Sequence, residues 1–491
     1  EGPKCRETLA KLLQWQGNFA YLGPKDYQSA EVAYRSAVEE YLKAPEPDKE
    51  ELAVTYLNLG NNLIDWRRFQ DAHKVLEKSL ETYSQIREAG HPQIQTVQQK
   101  INYCKSEMRE LDIGNLLEQK SSLDTMSEDD SLTPLMWAAM QGNNELATSL
   151  VQGNADVSIT NQEGYSAIVC AGKGGDPDIV SQLLEAKADV DSVDLKNHTA
   201  LYYALADLEK DRALTLTKVL LDAKANPNIG DSNSQTTPIL IAASRDFEEA
   251  TTLLLEAKAN PNTPDNRNIT SLLLAGKSGN LSIVEALLGQ GADPNICMLG
   301  GASPLLLTAQ LGFEEPTNRL IEAKADLNAT TDQGWSPLIV SATNNQPRIL
   351  RRLLEAKADV DITSPGIKGG SALLFATEVG NEEITKELLA HRAQVNIAND
   401  IGYTPLIYAA RGGDTGLVSE LLSLGAEVDA ASSHGTTAFL ISAEMNHEST
   451  VKALIDAKAD VNAADKDGDT ALKMTKSPGI RELLQSAGAL E

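Results

Sequence analysis

Two stretches of the chain could bind phosphate if their glycines and lysines were arranged as a loop. Ala275-Gly276-Lys277-Ser278 ends like a glycine-rich loop that holds phosphate with backbone amides and a lysine. That chemistry needs another glycine at position 271, where the chain has Ser271. A similar stretch at 171–174 has the same place in a repeated unit. We therefore interpret both stretches as turns between helices and predict no cofactor site.

A third stretch, Asp465-Lys466-Asp467-Gly468-Asp469, spaces its carboxylates like a calcium loop. When Gly468 is taken as the invariant glycine of such a loop, the position that needs a bidentate glutamate is Met474. The six histidines show no metal-binding spacing, and the four cysteines lie far apart without a CxxC pair. The sequence therefore predicts no metal site, no catalytic residue and no enzyme activity.

The charge of the chain argues against several classes of partner. The net charge is −27, so the chain repels nucleic acid and anionic lipid surfaces. Residues 1–112 hold 15 basic and 18 acidic residues, which gives −3, and residues 113–491 hold 28 and 52, which gives −24. No stretch approaches the ~18 apolar residues of a membrane span. We predict protein partners with basic or apolar segments, no nucleic acid and no direct membrane insertion.

The cysteines also indicate the kind of cellular compartment in which the chain works. Unpaired cysteines at such distances indicate a reducing environment, and the cytoplasm is the default. The chain begins Glu1-Gly2-Pro3 without an initiator methionine. The interior of an organelle, such as the plastid stroma or the mitochondrial matrix, after removal of a targeting peptide therefore stays open as the alternative.

One eight-residue phrase recurs along the chain. It reads LLEAKADV from Leu183, with close copies from Leu220, Leu254, Leu320, Leu353 and Leu454. The alanine after the lysine, or its equivalent, recurs at intervals of 33, 37, 34, 33, 33, 33, 35, 33, 33 and 30 residues between Ala155 and Ala489. A sustained period of 33 residues predicts a repeat solenoid, in which each unit buries its apolar face on its neighbours.

Each unit has the same internal order, namely a turn, a Thr or Ser, a short apolar helix and a second helix that ends in the recurring phrase. Thr or Ser caps the first helix, and proline suits its first position. The segments TPLMWAA (133–139) and TPLIYAA (404–410) resemble the T-P-L-H-x-A core of the ankyrin repeat. The resemblance covers about residues 131–491. The family's histidine is mostly replaced by apolar residues, which we expect to alter hydrogen bonding between hairpins but not the fold.

The recurring lysine stands where ankyrin repeats usually carry glycine, at the left-handed residue that ends the second helix. A non-glycine residue in that conformation costs about 1 kcal/mol. A cation near the helix C-terminus recovers ~0.3–1 kcal/mol, and glutamates two residues earlier neutralise much of the basic charge. We therefore predict a row of solvated caps rather than a basic binding strip. Its members are Lys187, Lys224, Lys258, Lys324, Lys357 and Lys458, whereas Gly291, Gly425 and Gly488 keep the glycine.

Residues 1–112 follow a different repeat. Gly17, Tyr27, Ala30, Tyr34 and Ala37 recur as Gly60, Phe69, Ala72, Leu76 and Ser79. The stretch YLNLGN (56–61) followed by FQDA (69–72) resembles a tetratricopeptide repeat (TPR), residues 11–41 form a looser copy, and 92–111 should form one more helix. We expect Trp15 and Trp66 to pack within these helices.

The TPR resemblance implies a groove that binds peptide tails. Asn18, Asn58 and Asn61 could contribute to such a groove, but Gln14 stands where the carboxylate-binding members of the family have lysine. We therefore expect a small docking module rather than a carboxylate clamp.

The stretch between the two repeat types looks at first like a linker. However, LLEQK (116–120) matches the LLEAK that ends an ankyrin unit, so we interpret it as half an ankyrin repeat. The predicted domains are a TPR-like module at 1–112 and an ankyrin array at 113–491, which comprises the half repeat, about ten full repeats and a truncated C-terminal cap. The predicted fold class is an all-α solenoid with short β-hairpin turns.

The partner surface of an ankyrin unit includes the residue before the capping Thr or Ser and the residues after the first helix. Before the cap the chain carries aromatics that the core does not require, namely Tyr165, Trp335 and Tyr403. After the first helix it carries Met140, Lys173, Arg245, Lys277 and Arg411. Tyr, Trp and Arg dominate interface hot spots, so we predict that the face around 335–411 anchors a protein segment.

These features favour a non-enzymatic protein–protein interaction scaffold that uses the ankyrin concave face and the TPR-like groove. Two alternatives stay open. One is a permanent peripheral or structural subunit, or an assembly factor, of a large protein complex, whether in an organelle or elsewhere. The other is a chaperone for basic or apolar segments. Copurification at native stoichiometry through high salt would favour the permanent subunit, whereas salt-labile association would favour the adaptor.

A half repeat that follows the last TPR helix directly should leave no flexible linker between the modules. We therefore expect residues 112–125 to resist limited proteolysis under native conditions, and small-angle scattering to fit a narrow range of end-to-end distances. Rapid cleavage within that segment would contradict the interpretation.

Overall fold

The computed structural model describes residues 3–119, 122–128, 130–364, 366 and 369–490, and its regular secondary structure is almost entirely helical. The chain divides into two compact units. Unit 1 comprises residues 1–127 with 152–156, and unit 2 comprises 128–151 with 157–491. Within the described residues, no helix is long and apolar enough to cross a membrane. The predicted all-α solenoid fold is confirmed.

Unit 1 is built from two helix pairs and one covering helix. The helices are α1 (Pro3–Leu22), α2 (Tyr27–Leu42), α3 (Lys49–Asp65), α4 (Phe69–Ser84) and α5 (Pro92–Gln119). Helix α1 packs along α2, α3 along α4, and α5 against α4. The core between them is dominated by fully buried Tyr34, Tyr41, Tyr83 and Leu59. This is the arrangement that the TPR resemblance implied.

Two glycines allow the paired helices of unit 1 to approach closely. A Cβ atom on Gly17 would lie 2.7 Å from the ring of Tyr34, and one on Gly60 would lie 2.5 Å from Leu76. The two glycines are equivalent positions of the repeat, and so are the two side chains that fill the space. The close approach therefore explains why both copies keep glycine in a helix interior, where it is unfavourable.

The two tryptophans of unit 1 differ in their surroundings. Trp66 packs as expected, since its ring stacks on Tyr27 with centroids 6.5 Å apart. Trp15 does not pack, because 71% of it is exposed. The prediction for Trp15 was wrong, because the ring lies on a face of α1 that no other helix among the described residues covers.

Helix α5 runs without interruption across position 112, so it is longer than the helix predicted at 92–111. No proline interrupts residues 112–119, and the single Gly114 does not break the helix. In the loop beyond it, Oδ1 of Asp124 accepts a hydrogen bond from the amide of Asp156 at 2.9 Å. The same bond recurs throughout unit 2, which supports our proposal of an ankyrin half repeat at 113–124. Lys120 of that segment lies outside the described residues.

Unit 2 is a row of helix pairs. The first helices are α6 (Pro134–Gln141), α8 (Ala167–Gly174), α10 (Ala200–Asp207), α12 (Pro238–Ser244), α14 (Ser271–Ser278), α16 (Pro304–Leu311), α18 (Pro337–Thr343), α20 (Ala372–Val379), α22 (Pro405–Gly412), α24 (Ala438–Glu444) and α26 (Ala471–Met474). The second helices are α7 (Asn144–Gln152), α9 (Pro177–Glu185), α11 (Lys210–Asp222), α13 (Glu248–Glu256), α15 (Leu281–Gly289), α17 (Glu314–Glu322), α19 (Pro347–Glu355), α21 (Glu382–Ala390), α23 (Thr415–Ser423), α25 (Glu448–Asp456) and α27 (Pro478–Ser486). One short antiparallel hairpin, β1 (Thr363–Ser364) with β2 (Gly370–Ser371), precedes α20.

The first helices begin as the sequence predicted, with two exceptions among those that start with Thr. The hydroxyl groups of Thr133 and Thr404 accept hydrogen bonds from the amides of Met136 and Ile407. The hydroxyl groups of Thr237 and Thr470 are buried and have no partner. Pro238 follows Thr237 directly, and its fixed φ suits the first position of the helix.

The lysine caps are confirmed. The backbone φ of the six lysines lies between 65° and 71°, and Gly291, Gly425 and Gly488 have φ of 83°, 91° and 89° at the equivalent positions. All six lysines are exposed, and within the described residues none of their ammonium groups has a hydrogen bond or ion pair. Their favourable contribution is therefore limited to the charge at the helix end, since they do not bond the free carbonyls.

Neighbouring repeats are joined by two rows of hydrogen bonds. In the first row, an Asn or Asp of one loop accepts from a backbone amide of the next loop, as in Asn260 to Asn228 at 2.7 Å and Asp326 to Asn295 at 2.7 Å. In the second row, a backbone amide at a hairpin tip donates to a carbonyl of the previous tip, as in Leu195 to Glu163 at 2.9 Å. The loops therefore keep one register along the array.

The stretches that imitate catalytic motifs have ordinary places in the repeats. Residues 275–278 form the last turn of α14 rather than a loop between helices, which corrects the sequence interpretation, and Gly279 ends the helix with φ of 74°. In the calcium-like stretch, Oδ1 of Asp465 accepts from the amides of Asp467 and Asp469 at 3.0 and 2.9 Å. That carboxylate stabilises a hairpin turn.

Exchanging glycine and lysine at the left-handed caps should change the free energy of unfolding in opposite directions at equivalent positions. The replacement Gly425→Lys should lower the free energy of unfolding by about 1 kcal/mol, because nothing crowds the new Cβ and only the backbone conformation opposes it. The replacement Lys324→Gly should raise it by less than about 1 kcal/mol, since glycine also gains freedom in the unfolded chain. The control Lys452→Gly, on the exposed face of α25, should lower it. Urea unfolding that gave Lys324→Gly and Lys452→Gly the same sign would contradict the assignment.

The C-terminal end of unit 2 should open first. Helix α26 has 4 residues, and its Thr470 makes no capping hydrogen bond. Each repeat is supported only by its neighbours, and a repeat with so short a first helix shares the least packed surface with them. Amide hydrogen exchange should be fastest at 466–490, and equal protection along the array would contradict this.

Candidate protein-binding face

A glycine makes room for an aromatic cavity in the region that the sequence analysis selected. Gly370 stands before the capping Ser371, where the flanking repeats have Trp335 and Tyr403. A Cβ atom on Gly370 would lie 2.5 Å from the ring of Phe375, so the ring takes the space that a side chain would fill. From there Phe375 stacks on Trp335, with centroids 5.7 Å apart and an interplanar angle of 26°.

The space between α20 and α22 is a cavity of about 370 Å³, which we call the Tyr403 pocket. Its lining residues are Gly370, Leu374, Phe375, Glu378, Asn399, Ile401, Tyr403, Tyr408 and Arg411. Of the predicted residues, Tyr403 and Arg411 line the pocket, whereas Trp335 stacks on Phe375 and supports that wall. Phe375 and Tyr408 were missed. Both occupy the same position of the first helix, and the tyrosine was visible in the segment TPLIYAA.

Hydrogen bonds hold the hairpin that carries Tyr403. Oδ1 of Asn399 accepts from the amides of Tyr403 and Ile401 at 2.9 and 3.2 Å, and its Nδ2 donates to Oη of Tyr408 at 3.1 Å. The rings of Tyr403 and Tyr408 lie 5.3 Å apart. Burial, reinforced by the charge of Glu378, raises the pKa of Tyr408. Tyr408 therefore keeps its proton at neutral pH, and its hydroxyl group can donate a hydrogen bond to a ligand.

Two opposite charges stand at the rim of the Tyr403 pocket. Glu378 and Arg411 are exposed, and within the described residues neither side chain has an ion pair. The backbone carbonyl of Arg411, near the rim, lies 3.1 Å from Nε2 of His447. The pocket therefore offers an apolar interior between one free carboxylate and one free guanidinium.

The predicted residues Tyr165 and Lys173 lie together, but around a third residue that the sequence analysis did not select. Nζ of Lys173 lies 5.0 Å from the ring centroid of Tyr165 and 4.9 Å from that of Tyr203. The two tyrosine hydroxyl groups are 3.3 Å apart. The charge of Lys173 is therefore partly satisfied within the fold.

Tyr203 also belongs to a buried polar network that joins two hairpins. Its hydroxyl donates to Asp194 at 2.6 Å, and Nε2 of His198 lies 2.7 Å from Asp231 in the next hairpin. Burial and the bond to Asp194 raise the pKa of Tyr203. Burial also raises the pKa of Asp231, but hydrogen bonds from Ser234 and His198 outweigh it and lower that pKa to about 2. These side chains hold neighbouring repeats together.

Two other basic residues that were predicted to bind a partner differ in whether they are bonded within the fold. The guanidinium of Arg245 donates to the carbonyls of Leu205 and Ala206 at 2.5 and 3.0 Å, and it lies 4.6 Å from the ring of Phe247. Arg245 therefore caps the end of α10. Lys277 is exposed at the end of α14.

In unit 1 the predicted asparagines are only partly free. Oδ1 of Asn18 accepts from the hydroxyl of Tyr34 at 2.8 Å and from Nδ2 of Asn58 at 3.3 Å. Oδ1 of Asn61 is buried and has no partner, and no hydrogen bond joins Asn61 to the other two in the described part of the unit. Gln14 is buried and accepts from Tyr41 at 3.2 Å, so it is a core residue.

A larger depression, of about 560 Å³, lies between α11 and α13. Its lining is aliphatic and charged, with Lys218, Asp222, Lys224, Glu256 and Lys258 among the residues. It contains no aromatic side chain that could anchor a partner. Among the described residues, no group of three or more His, Cys, Asp or Glu side chains could hold a metal ion.

Comparisons with known families agree with this architecture. A model described as ankyrin repeats (3 copies) matches residues 135–231, 208–297, 272–364 and 357–432, and a single ankyrin repeat model matches 434–466. A tetratricopeptide repeat model matches residues 7–85. No curated protein matches the chain significantly.

Among solved structures, the crystal structure of the human ASB11 ankyrin repeat domain is similar at 23% identity with a TM-score of 0.39. The match covers 45% of this chain and 100% of that domain.

Repeats of both kinds are typically non-enzymatic interaction modules, so they indicate a protein–protein interaction scaffold with protein partners. The ankyrin models together cover more than half of the sequence. The chain belongs to the ankyrin repeat family and carries tetratricopeptide repeats at its N-terminal end.

Proposed function

We propose that this chain is a non-enzymatic scaffold that holds a partner protein in the Tyr403 pocket. The observation that carries the proposal is the aromatic cavity with a free carboxylate and a free guanidinium at its rim. Aromatic and arginine side chains around a cavity are the composition of interface hot spots.

The fold does not need an aromatic side chain at the position of Tyr403. At the position of Tyr403, other repeats have Thr236, Ile269 or Ala302, and their hairpins close with the same backbone bonds. Tyr403 is half-buried, and Arg411 is exposed. Large side chains that a repeat can do without, clustered at one place, support a binding role.

The chemistry of the pocket suggests the partner segment. Its interior would take an apolar or aromatic side chain, and Tyr408 would donate a hydrogen bond to a polar group beside it. Residues 113–491 carry a net charge of −24, so a segment with basic flanking residues would be attracted over a long range. Glu378 would bind one of those basic residues directly. We therefore infer a partner segment that combines an apolar anchor with basic neighbours.

Substitution within the pocket should weaken partner binding and leave the fold intact. The double variant Tyr403→Ala with Arg411→Ala should reduce retention of the partner by about thirty-fold or more, which corresponds to the roughly 2 kcal/mol of a hot-spot pair. Trp335 is kept, because its ring supports Phe375. The single variant Gly370→Ala should also weaken binding, since its Cβ displaces the Phe375 ring.

The measurement is quantitative mass spectrometry of proteins that the full chain retains from a native extract. The matched control is Ile269→Ala with Lys277→Ala, which changes the equivalent two positions of another repeat. Unchanged circular dichroism would show that the array is folded. If both double variants retained the same proteins at the level of the unaltered chain, the anchor would lie elsewhere.

A further inference from the structure

Helix α1 exposes a continuous apolar face. Leu9, Leu12, Trp15, Phe19 and Leu22 are 46%, 62%, 71%, 69% and 76% exposed, and we call these five residues the α1 face. Between residues 5 and 22, Lys11 is the one charged side chain among the exposed residues. A soluble helix normally turns charged residues to water, so this face has the character of a surface that is covered by another molecule.

The internal repeat of unit 1 shows what kind of element covers such a face. When Gly17 is aligned with Gly60, the residues Leu9, Leu12 and Phe19 correspond to Leu52, Thr55 and Asn62 of α3. All three of those are buried, and Nδ2 of Asn62 donates to the carbonyl of Tyr27 on α2 at 2.9 Å. In α3, therefore, this face packs against a helix. The equivalent face of α1 has the character of a helix-packing surface, and no helix among the described residues covers it.

The order of residues along the α1 face is symmetric. Leu9 and Leu22 lie at equal distances from the midpoint between Trp15 and Gln16, and so do Leu12 and Phe19. In a twofold symmetric interface, a contact between residue i of one copy and residue j of the other is repeated as a contact between residue j of the first copy and residue i of the second. Two antiparallel copies of α1 would therefore place Leu9 against Leu22 and Leu12 against Phe19, with both Trp15 rings near the axis.

Charge and area also favour a second copy of this chain. Two chains that each carry −27 repel one another, but residues 1–112 contribute only −3 of that charge. Self-association therefore meets the least repulsion at this unit. Two aromatic rings of about 150–250 Å² each, with three leucines, supply most of the roughly 800 Å² that each partner contributes to a standard interface.

We propose that the chain forms a homodimer in which the α1 face of one copy packs against the α1 face of a second copy, with the two helices antiparallel. The inference stands independently of the Tyr403 pocket, because it uses only residues of unit 1. A dimer would present two copies of every site in unit 2, which would increase the avidity for any partner that also has two copies of its segment.

The first test measures the mass of the full chain by sedimentation equilibrium over a range of concentrations. The unaltered chain should be a dimer at micromolar concentration. The variant Leu12→Glu with Phe19→Glu should be a monomer and keep its helical content, because both side chains are exposed. The control Val32→Glu with Leu42→Glu changes two apolar residues of α2 that are 63% and 58% exposed, and it should stay a dimer.

The second test distinguishes the proposed orientation. In a chain with Cys5→Ser and Cys297→Ser, a cysteine introduced by Gln16→Cys lies beside the axis and should form a disulfide between copies on mild oxidation. A cysteine introduced by Lys11→Cys would face its counterpart across about 13 Å along the helix axis, which exceeds disulfide reach, so it should not cross-link.

Three results would overturn the proposal. Cross-linking at both positions would indicate parallel helices, and a dimer that survived the double glutamate variant would place the interface elsewhere. A monomer at every concentration would leave the α1 face to a helix of another protein.

Discussion

The structure depends on the register between one loop and the next. A repeat of about 33 residues is too small to enclose a core, so its stability comes from the faces that it shares with its neighbours. The Asn or Asp of each loop accepts a hydrogen bond from the following loop, as Asn228 does from the amide of Asn260. The donor is a backbone amide and the acceptor side chain lies in the loop after the second helix, so the bond sets the distance between repeats independently of the side chains on the hairpins.

That register leaves the hairpin positions free to vary. Gly370, Trp335 and Tyr403 occupy one position in three consecutive repeats, and the first helices that follow keep the same packing. The missing side chain at Gly370 lets Phe375 lean towards Trp335 and opens the Tyr403 pocket. A binding cavity can therefore arise from a single small residue within an array whose backbone is unchanged. In other repeats, side chains in and next to the hairpins hold neighbouring repeats together instead, as in the network of Tyr203, His198 and Asp231.

The first and last helices of the described chain differ in the faces that they expose. At α27 and α26 the last repeat is short and carries polar residues on its outer side. At α1 the outer side is apolar and carries a tryptophan, a phenylalanine and three leucines. In α3 the equivalent residues Leu52, Thr55 and Asn62 are buried, and Asn62 bonds to the carbonyl of Tyr27 on α2. An unprotected face of this kind is a reason for association rather than for solubility.

The sequence by itself determined the two repeat types, the helix order, most of the helix caps and the left-handed lysines. These features are local and recur in many copies, so the signal accumulates over units, and the backbone at Lys324 or Thr404 depends on its own few neighbours. Only the tertiary structure decided that Arg245 caps α10, that Trp335 supports Phe375, that Trp15 is exposed and that a cavity opens beside Gly370. Each of these depends on side chains or a helix about one repeat away. The repeat pattern specifies the position of such a neighbour, but not which side chain it has or whether a neighbour is present.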